Sequence, residues 1–400
     1  MSTAAHFTKA ELMAPPQAQT IQMRSFWIGV AFAAIVLFGI WRAPEAVYPA
    51  YLISYMGWLG VTLGSLALIM LQHMTGGGWG VVGRRVWEAA TRTLPLMFVL
   101  FIPIAGGIPN LYQWADPEEL ARDPHLNEIA HSYLNAHGFV YRAIAYFVIW
   151  AFLIFLLNRW STEQDERSFD TLRFRQLSAP GLILYAFTIS FAAIDWVMSL
   201  QARWISTIYG LLFLVGQGLS ALCFLIIIET ILSKRKPVSD YLKPTEIHDH
   251  AKLTLAFVML WAYFSFSQWL IIWAGNLPEE ITWYFRRLHG GWDYVGLFLA
   301  VFHFAVPFGI LLGRRFKRKT STMVWVAAWL MLMRIVDIWW NVDPVFYPSV
   351  SLYPGFLWTL ICSVAIGGLW LAYFFRNLRT RPLLPLMAPE TAKLLESEHE

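Results

Sequence analysis

The stretch Phe187–Gly210, FTISFAAIDWVMSLQARWISTIYG, decides the fold because it joins the end of one long apolar run to the start of the next. The run over about 180–200 is long enough to cross a bilayer, since a spanning helix needs roughly 20 residues with a rise of about 1.5 Å each. Asp195 lies within this run. A carboxylate deep in a membrane costs about 2.5–3.5 kcal/mol on insertion scales, so we expect Asp195 to face protein or water.

The composition of the whole chain is that of a membrane protein. Of its 400 residues, 58% are hydrophobic and only 14% are charged, whereas a soluble domain has about 25% charged residues. The two cysteines, Cys223 and Cys362, both lie in apolar runs. Two cysteines are too few for an iron–sulfur ligand set or a disulfide framework. Because the chain is so apolar and carries so few charges, we expect it to contact membrane lipid and not nucleic acid.

Ten apolar runs predict an all-α polytopic protein. We expect a membrane domain over residues 25–376, between an N-terminal segment 1–24 and a C-terminal tail 377–400. The ten spans are predicted at about 25–41, 47–72, 87–107, 138–158, 180–200, 204–232, 250–275, 290–312, 322–342 and 354–375.

The distribution of Lys and Arg predicts the orientation of these spans. If the N-terminus is inside, the inner segments with the adjoining span ends hold 23 of the 30 Lys and Arg residues, the outer ones hold six, and Arg334 lies within a span. The six outer residues are Arg42, Arg122, Arg142, Arg203, Arg286 and Arg287. Basic residues concentrate in cytoplasmic loops. We therefore expect both termini to lie in the cytoplasm.

Four ionisable residues inside predicted spans are candidates for a proton path. They are Asp195, His303, Arg334 and Asp337, and intramembrane ionisable groups are often members of proton relays or substrate sites. Arg334 and Asp337 are three residues apart, so they share a helix face, and Asn341 is one turn further along the Asp337 face. The pair could equally be a structural ion pair between helices, and His303 could simply hydrogen-bond a neighbouring helix.

Secondary candidates lie nearer the predicted membrane surfaces or add polarity to a span. Glu88 and Arg92 are four residues apart at the inner end of the third span, and Lys252 is near the inner end of the seventh. Charged residues at these positions usually anchor helices at the interface. Gln268 adds a polar position within the seventh span.

Common cofactor motifs are absent from the sequence. It contains no Walker loop, no GxGxxG opening a helix after a strand and no HExxH. His289 and His303 share a helix face, but no second helix offers a matching pair, so we do not expect haem ligation. The outer loop 108–137 has three histidines whose six-residue spacing does not place them on one helix face, so no preformed metal site is predicted.

Two long segments carry a resemblance to a known family. SFAAIDWVMSLQARWISTIYGLLFLVGQ (190–217) and KLTLAFVMLWAYFSFSQWLIIWAGNLPEEITWYFRR (252–287) resemble the second of the NrfD-type, polysulfide-reductase-like membrane subunits of bacterial alternative complex III. The resemblance implies two four-helix bundles, at about 47–200 and 204–342, with one flanking helix at each end. It places Asp195 in the first bundle and His303, Arg334 and Asp337 in the second.

The resemblance also implies a function in a respiratory quinol:cytochrome c or oxidase-linked oxidoreductase of the bacterial cytoplasmic membrane. The implied partners are a paralogous NrfD-type subunit, an iron–sulfur subunit, haem c subunits, small membrane subunits and a terminal oxidase. We expect this subunit to handle protons, with a quinone or quinol pocket as a further role and no redox centre or metal of its own. A structural scaffold and a secondary transporter remain alternatives, although the matched Gly/Pro-interrupted helices of transporters are not evident.

The first prediction concerns topology. Reporter fusions at Glu119 and Lys236 should report opposite sides of the membrane, because the basic segments alternate with the poorly basic ones along the chain. Activity of both fusions on the same side would refute the ten-span assignment.

Overall fold

The computed structural model describes residues 12–167, 171–234, 244–317 and 319–385. Five parts of the predicted plan lie outside these residues. They are 1–11 of the N-terminal segment, 168–170 of an inner segment, 235–243 of a basic inner loop with Lys236, Arg318 of another inner segment, and 386–400 of the tail.

The described residues are almost entirely helical and include no strand. Ten of the described helices are long and apolar enough to cross a membrane. We number them α1 (Gln17–Arg42), α2 (Pro44–Thr75), α3 (Arg84–Gly106), α4 (Ala136–Glu166), α5 (Leu172–Gln201), α6 (Tyr209–Leu232), α7 (Glu246–Gly275), α8 (Trp292–Leu312), α9 (Thr320–Val345) and α10 (Leu352–Leu378). The all-α, polytopic fold class is confirmed, and the chain is a multi-pass membrane protein.

Several helices extend beyond the apolar runs that predicted them. α4 continues to Glu166, where Arg159 and Glu163 form an ion pair at a spacing of one turn (3.3 Å), and such pairs support the polar end of a helix. α5 begins at Leu172 and passes through Pro180. Hydropathy detects only the apolar middle of these helices, so the predicted spans are too short at their polar ends.

The helices form two groups of four. In the first, α2 contacts α3 and α5, and α4 contacts α3 and α5, which closes a four-helix bundle. In the second, α6 contacts α7 and α9, and α8 contacts α7 and α9, which closes another. The flanking helices α1 and α10 pack extensively on each other, and α10 also packs on α2.

The two bundles meet along α2 and α6, which form the centre of the molecule. The apolar windows of these helices are 83% and 78% buried, against 22% for α1, α7 and α8. Gly64 permits the close approach, because a Cβ atom there would lie 2.0 Å from the backbone oxygen of Gln217. Small residues commonly allow membrane helices to pack backbone against backbone.

A second close crossing joins the first and last helices. A Cβ atom at Gly29 would lie 2.5 Å from the backbone nitrogen of Leu369, and one at Gly368 would lie 2.6 Å from the Cα atom of Gly29. The two backbones therefore touch, and any side chain at either glycine must push α1 and α10 apart.

We expect Gly368→Val to destabilise the protein by about 1–3 kcal/mol, the usual range for forcing extra methyl groups into a close-packed contact. Thermal unfolding of the purified protein in detergent measures the effect. Gly309→Val is the matched control, since a Cβ atom at this helical glycine has no neighbour within 4 Å. Equal unfolding temperatures for the two variants would contradict the crossing.

Candidate functional site

A cavity of about 640 Å³ lies in the second bundle, between α7, α8, α9 and the short helix Pro278–Arg287. Its walls are largely apolar and aromatic, with Phe213, Trp261, Trp283 and Trp340 among them. The polar side chains in the lining are Ser265, Gln268, Tyr284, Arg287, Asp293, Arg334, Asp337 and Asn341. Four predicted residues (Gln268, Arg334, Asp337 and Asn341) thus share one cavity.

Arg334 and Asp337 form a buried ion pair in this lining. An Nη1 hydrogen of Arg334 is donated to Oδ2 of Asp337, and the two residues are only 5% and 6% exposed. Asn341 donates from Nδ2 to the backbone oxygen of Asp337 at 2.8 Å. Along the axis of α9, Asp337 lies about 6 Å and Arg334 about 10 Å from Asn341, because they precede it by four and seven residues.

Gly216 on α6 makes room for the Arg334 guanidinium. A Cβ atom at Gly216 would lie 2.1 Å from Nη2 of Arg334. The arginine therefore fits against the α6 backbone only because residue 216 has no side chain. The ion pair of α9 therefore packs directly against the central helix α6.

His303 lies behind the cavity wall. It is fully buried, and its ring stacks on the Trp261 indole with a centroid separation of 4.1 Å and an interplanar angle of 9°. Neither ring nitrogen has a well-formed hydrogen bond to a described residue. Trp261 itself lines the cavity, so the indole separates His303 from the space that Asp337 faces.

The backbone around His303 departs from a regular α-helix. Residues Ala300–Ala305 form a π-helical segment that ends two residues before Pro307. Proline cannot donate a backbone hydrogen bond, and its ring crowds the carbonyl four residues earlier, here that of His303. Single-turn π-helical insertions occur frequently at functional sites. The insertion adjusts where His303 lies relative to α7.

Arg287 also lines the cavity, beside Asn341, and was not predicted as a site residue. It is 1% exposed and donates to the backbone oxygens of Trp283, Trp340 and Asn341 at 2.8, 3.1 and 2.5 Å. Its guanidinium lies 3.6 Å from the centroid of the Trp283 ring. Burial lowers the pKa of Arg287 to about 9, so the side chain is still cationic at neutral pH.

Gln268 belongs to the site, whereas Lys252 does not line the cavity. Gln268 is 3% exposed and accepts a hydrogen bond at Oε1 from Ser206 at 3.0 Å. Lys252 is exposed and pairs with Asp249 at 2.8 Å. An exposed lysine at the end of a helix is typical of a residue that anchors the helix at the membrane surface.

Asp195 lies in the first bundle, in a separate charge cluster. The carboxylate is fully buried, and its Oδ2 accepts hydrogen bonds from Arg142 Nε at 2.9 Å and Tyr146 Oη at 2.8 Å. Arg142 also lies over the Tyr133 ring, 3.9 Å from its centroid. The expectation that Asp195 faces protein holds, and its charge is compensated by an arginine that we assigned to an outer segment.

Glu88 lies in a third cluster, at the opposite end of the first bundle. Its carboxylate accepts from Arg84 at 3.0 Å, Arg85 at 2.8 Å and the Ser161 hydroxyl at 2.5 Å. Arg92, four residues after Glu88, approaches the backbone oxygen of Glu88 at 3.4 Å rather than its carboxylate. The shorter approach of Arg84 and Arg85 from the preceding turn satisfies the carboxylate instead.

A buried histidine–glutamate contact was also missed. His250 Nδ1 on α7 lies 3.0 Å from Glu229 Oε2 on α6, and His250 Nε2 lies 2.5 Å from the backbone oxygen of Trp79. Both side chains are nearly inaccessible. The sequence signal was a glutamate near the end of one span followed by a histidine near the start of the next.

Comparison of the chain with protein-family models and with curated protein sequences finds no match. No group of three or more described His, Cys, Asp or Glu side chains is arranged to hold a metal ion. The fold and sites therefore define a multi-pass helical membrane protein with buried ion pairs and a cavity that reaches one of them. Its function has to be inferred from these residues.

Asp337→Asn should lower stability by about 3–5 kcal/mol, because removing one member of a buried pair leaves the Arg334 charge uncompensated. The double change Asp337→Asn with Arg334→Gln should be milder. Thermal unfolding and the yield of assembled protein measure both. Equal losses in the single and double variants would contradict direct pairing of the two residues.

Proposed function

We propose that this chain is an NrfD-type membrane subunit of a bacterial quinol-oxidising respiratory complex, in which the second bundle handles protons. The likeness of segments 190–217 and 252–287 to such subunits supports the class. The observation that carries the proton role is the cavity, because a buried carboxylate, that of Asp337, is part of its lining. In this proposal both termini are cytoplasmic, and the partners are iron–sulfur, haem c and paralogous membrane subunits.

The lining suits proton transfer between the cavity and the middle of the bundle. Water in a polar recess needs two to four hydrogen-bonding partners, and Gln268, Asn341, Tyr284 and Arg287 supply donors and acceptors along the lining. Asp337 can accept a proton from such water. The adjacent Arg334 stabilises the ionised carboxylate.

His303 is the proposed next group in the path. Histidine exchanges protons close to neutral pH in an ordinary environment. In this proposal a rotation of the Trp261 indole away from His303 connects the imidazole with the cavity. Asp195 belongs to a corresponding path in the first bundle, where Arg142 and Tyr146 hold its carboxylate.

A quinone pocket in the same cavity is the second candidate, and the apolar lining favours it. The volume of about 640 Å³ falls within the range of roughly 300–1,000 Å³ that small-molecule sites occupy. Trp261, Trp283 and Phe304 offer aromatic surfaces for a quinone ring, while Gln268 and Asn341 could hydrogen-bond its oxygens. In this candidate the quinone is a substrate, and the chain holds no redox centre of its own.

The prediction that tests the proton role uses vesicles containing the intact complex. His303→Gln should reduce proton movement per quinol oxidised at least twofold, because glutamine keeps the approximate shape but does not titrate. The Asp337→Asn, Arg334→Gln double variant should do the same. The solubilised complex should keep most of its electron-transfer rate in both cases.

His289→Gln is the matched control, since His289 is an exposed histidine near the same bundle. It should leave both proton movement and electron transfer unchanged. An unchanged proton yield in both site variants, with assembly intact, would overturn the proton role in favour of a scaffold. Collapse of electron transfer in the solubilised variants would instead favour the quinone pocket.

A further inference from the structure

A lipid-facing groove of about 710 Å³ runs along the first bundle between α3 and α4, with the end of α10 at its head. Its wall on α4 extends from Ile144 to Arg159, which is about 22 Å along a helix. That length exceeds one bilayer leaflet, about 15 Å of hydrocarbon. The groove is thus long enough for an acyl chain lying beside α4.

The two ends of the groove differ in chemistry. Along most of its length the lining is apolar, with Phe98, Val148 and Phe155 each 45–61% exposed. At the head, three arginines (Arg92, Arg159 and Arg381) meet two asparagines. No Asp or Glu is among the described residues that line it. An apolar trough with a cationic head is complementary to an anionic phospholipid.

The arginines at the head are not fully neutralised by their protein contacts. Arg159 shares Glu163 with Arg167 and Arg173, at 3.3, 3.7 and 3.3 Å, so one carboxylate faces three guanidinium groups. Arg381 lies 3.6 Å from Glu88, a carboxylate that Arg84 and Arg85 already contact more closely.

The remaining contacts fix the head of the groove in place. Arg92 donates to the backbone oxygen of Asn377 at 2.7 Å and to the Thr380 hydroxyl at 3.0 Å. Arg381 donates to Asn158 Oδ1 at 3.1 Å. Burial lowers the pKa of Arg381 from its ordinary value, and a nearby phosphate would favour the charged form. The end of α10 and the chain after it therefore present cations at a defined position.

We propose that this groove is a binding site for an anionic phospholipid, with the phosphate at Arg92, Arg159 and Arg381 and an acyl chain along α4. Basic pockets between transmembrane helices are known to bind anionic lipid head groups on the cytoplasmic side. This site is independent of the cavity in the second bundle and of the proton role proposed for it.

Native mass spectrometry of the full-length protein, extracted with its co-purifying partners, tests the site. The probes are palmitoyl-oleoyl phosphatidylglycerol and phosphatidylcholine, which share acyl chains and differ in head-group charge. Phosphatidylglycerol should bind more tightly. Arg159→Gln should weaken it about fivefold, the factor that corresponds to ~1 kcal/mol for one arginine near an anionic lipid.

Arg167→Gln is the matched control, because Arg167 contacts the same Glu163 but does not line the groove. It should leave lipid affinity unchanged. Ala151→Phe adds bulk to the apolar wall without altering charge and should also weaken lipid binding. Ala151 is exposed on the lipid-facing surface, so its variant should unfold at the same temperature as the parent protein in lipid-free detergent.

Four results would overturn the proposal. Equal affinity for the two lipids, or equal effects of Arg159→Gln and Arg167→Gln, would show that the arginine head does not select the phosphate. Displacement of the lipid by millimolar inorganic phosphate, with no effect of Ala151→Phe, would reduce the site to a simple anion site. Loss of a partner subunit from Ala151→Phe, with lipid binding unchanged, would identify the groove as a protein interface.

Discussion

A charge inside a membrane must face a compensating group, and the arrangement of this protein follows from that constraint. Asp195 is held by Arg142 and Tyr146, and Asp337 by Arg334. The Arg142–Asp195 pair joins α4 to α5, whereas Arg334 and Asp337 pair within α9 and meet α6 where the guanidinium lies against Gly216. Such polar contacts matter because lipid tails and apolar side chains attract helices almost equally. The ion pairs therefore specify which helix faces point inward. Glycines at the crossings of α2 with α6 and of α1 with α10 allow the helix backbones to approach closely.

The two bundles use this constraint differently. In the first, Trp196 lies next to the charge pair and packs against Phe101, Phe147 and Trp150 at centroid distances of 4.9–6.2 Å, which leaves little space beside Asp195. In the second, the ion pair lines a cavity, and Arg287, which donates to the Trp340 backbone, is part of the same lining. The same kind of buried acid is consequently packed against aromatic rings in one bundle and accessible to small molecules in the other.

The sequence predicts the parts of this structure that depend on local spacing. Hydropathy locates ten helices, and the three-residue separation of Arg334 and Asp337 is enough to expect their contact. Local spacing does not predict contacts between residues that are far apart in the sequence. Arg142 and Arg287 were counted among the six outer basic residues, yet folding buries Arg287 and brings Arg142 to Asp195. Glu88 shows a second limit, since Arg84, Arg85 and Arg92 all lie about one turn from it and spacing alone does not decide which of them contact its carboxylate.

The contact of Gly29 with Gly368 has a consequence for biosynthesis. The first helix finds its main neighbour only in the last, with which it packs backbone against backbone. At roughly 5–20 residues per second, the ribosome needs on the order of half a minute to make the intervening chain. During that time α1 must remain in the bilayer as a largely lipid-solvated helix, a role for which its apolar and mostly exposed surface is suited. The contact between α1 and α10 is thus the last major helix contact to form, after the rest of the membrane domain has been made.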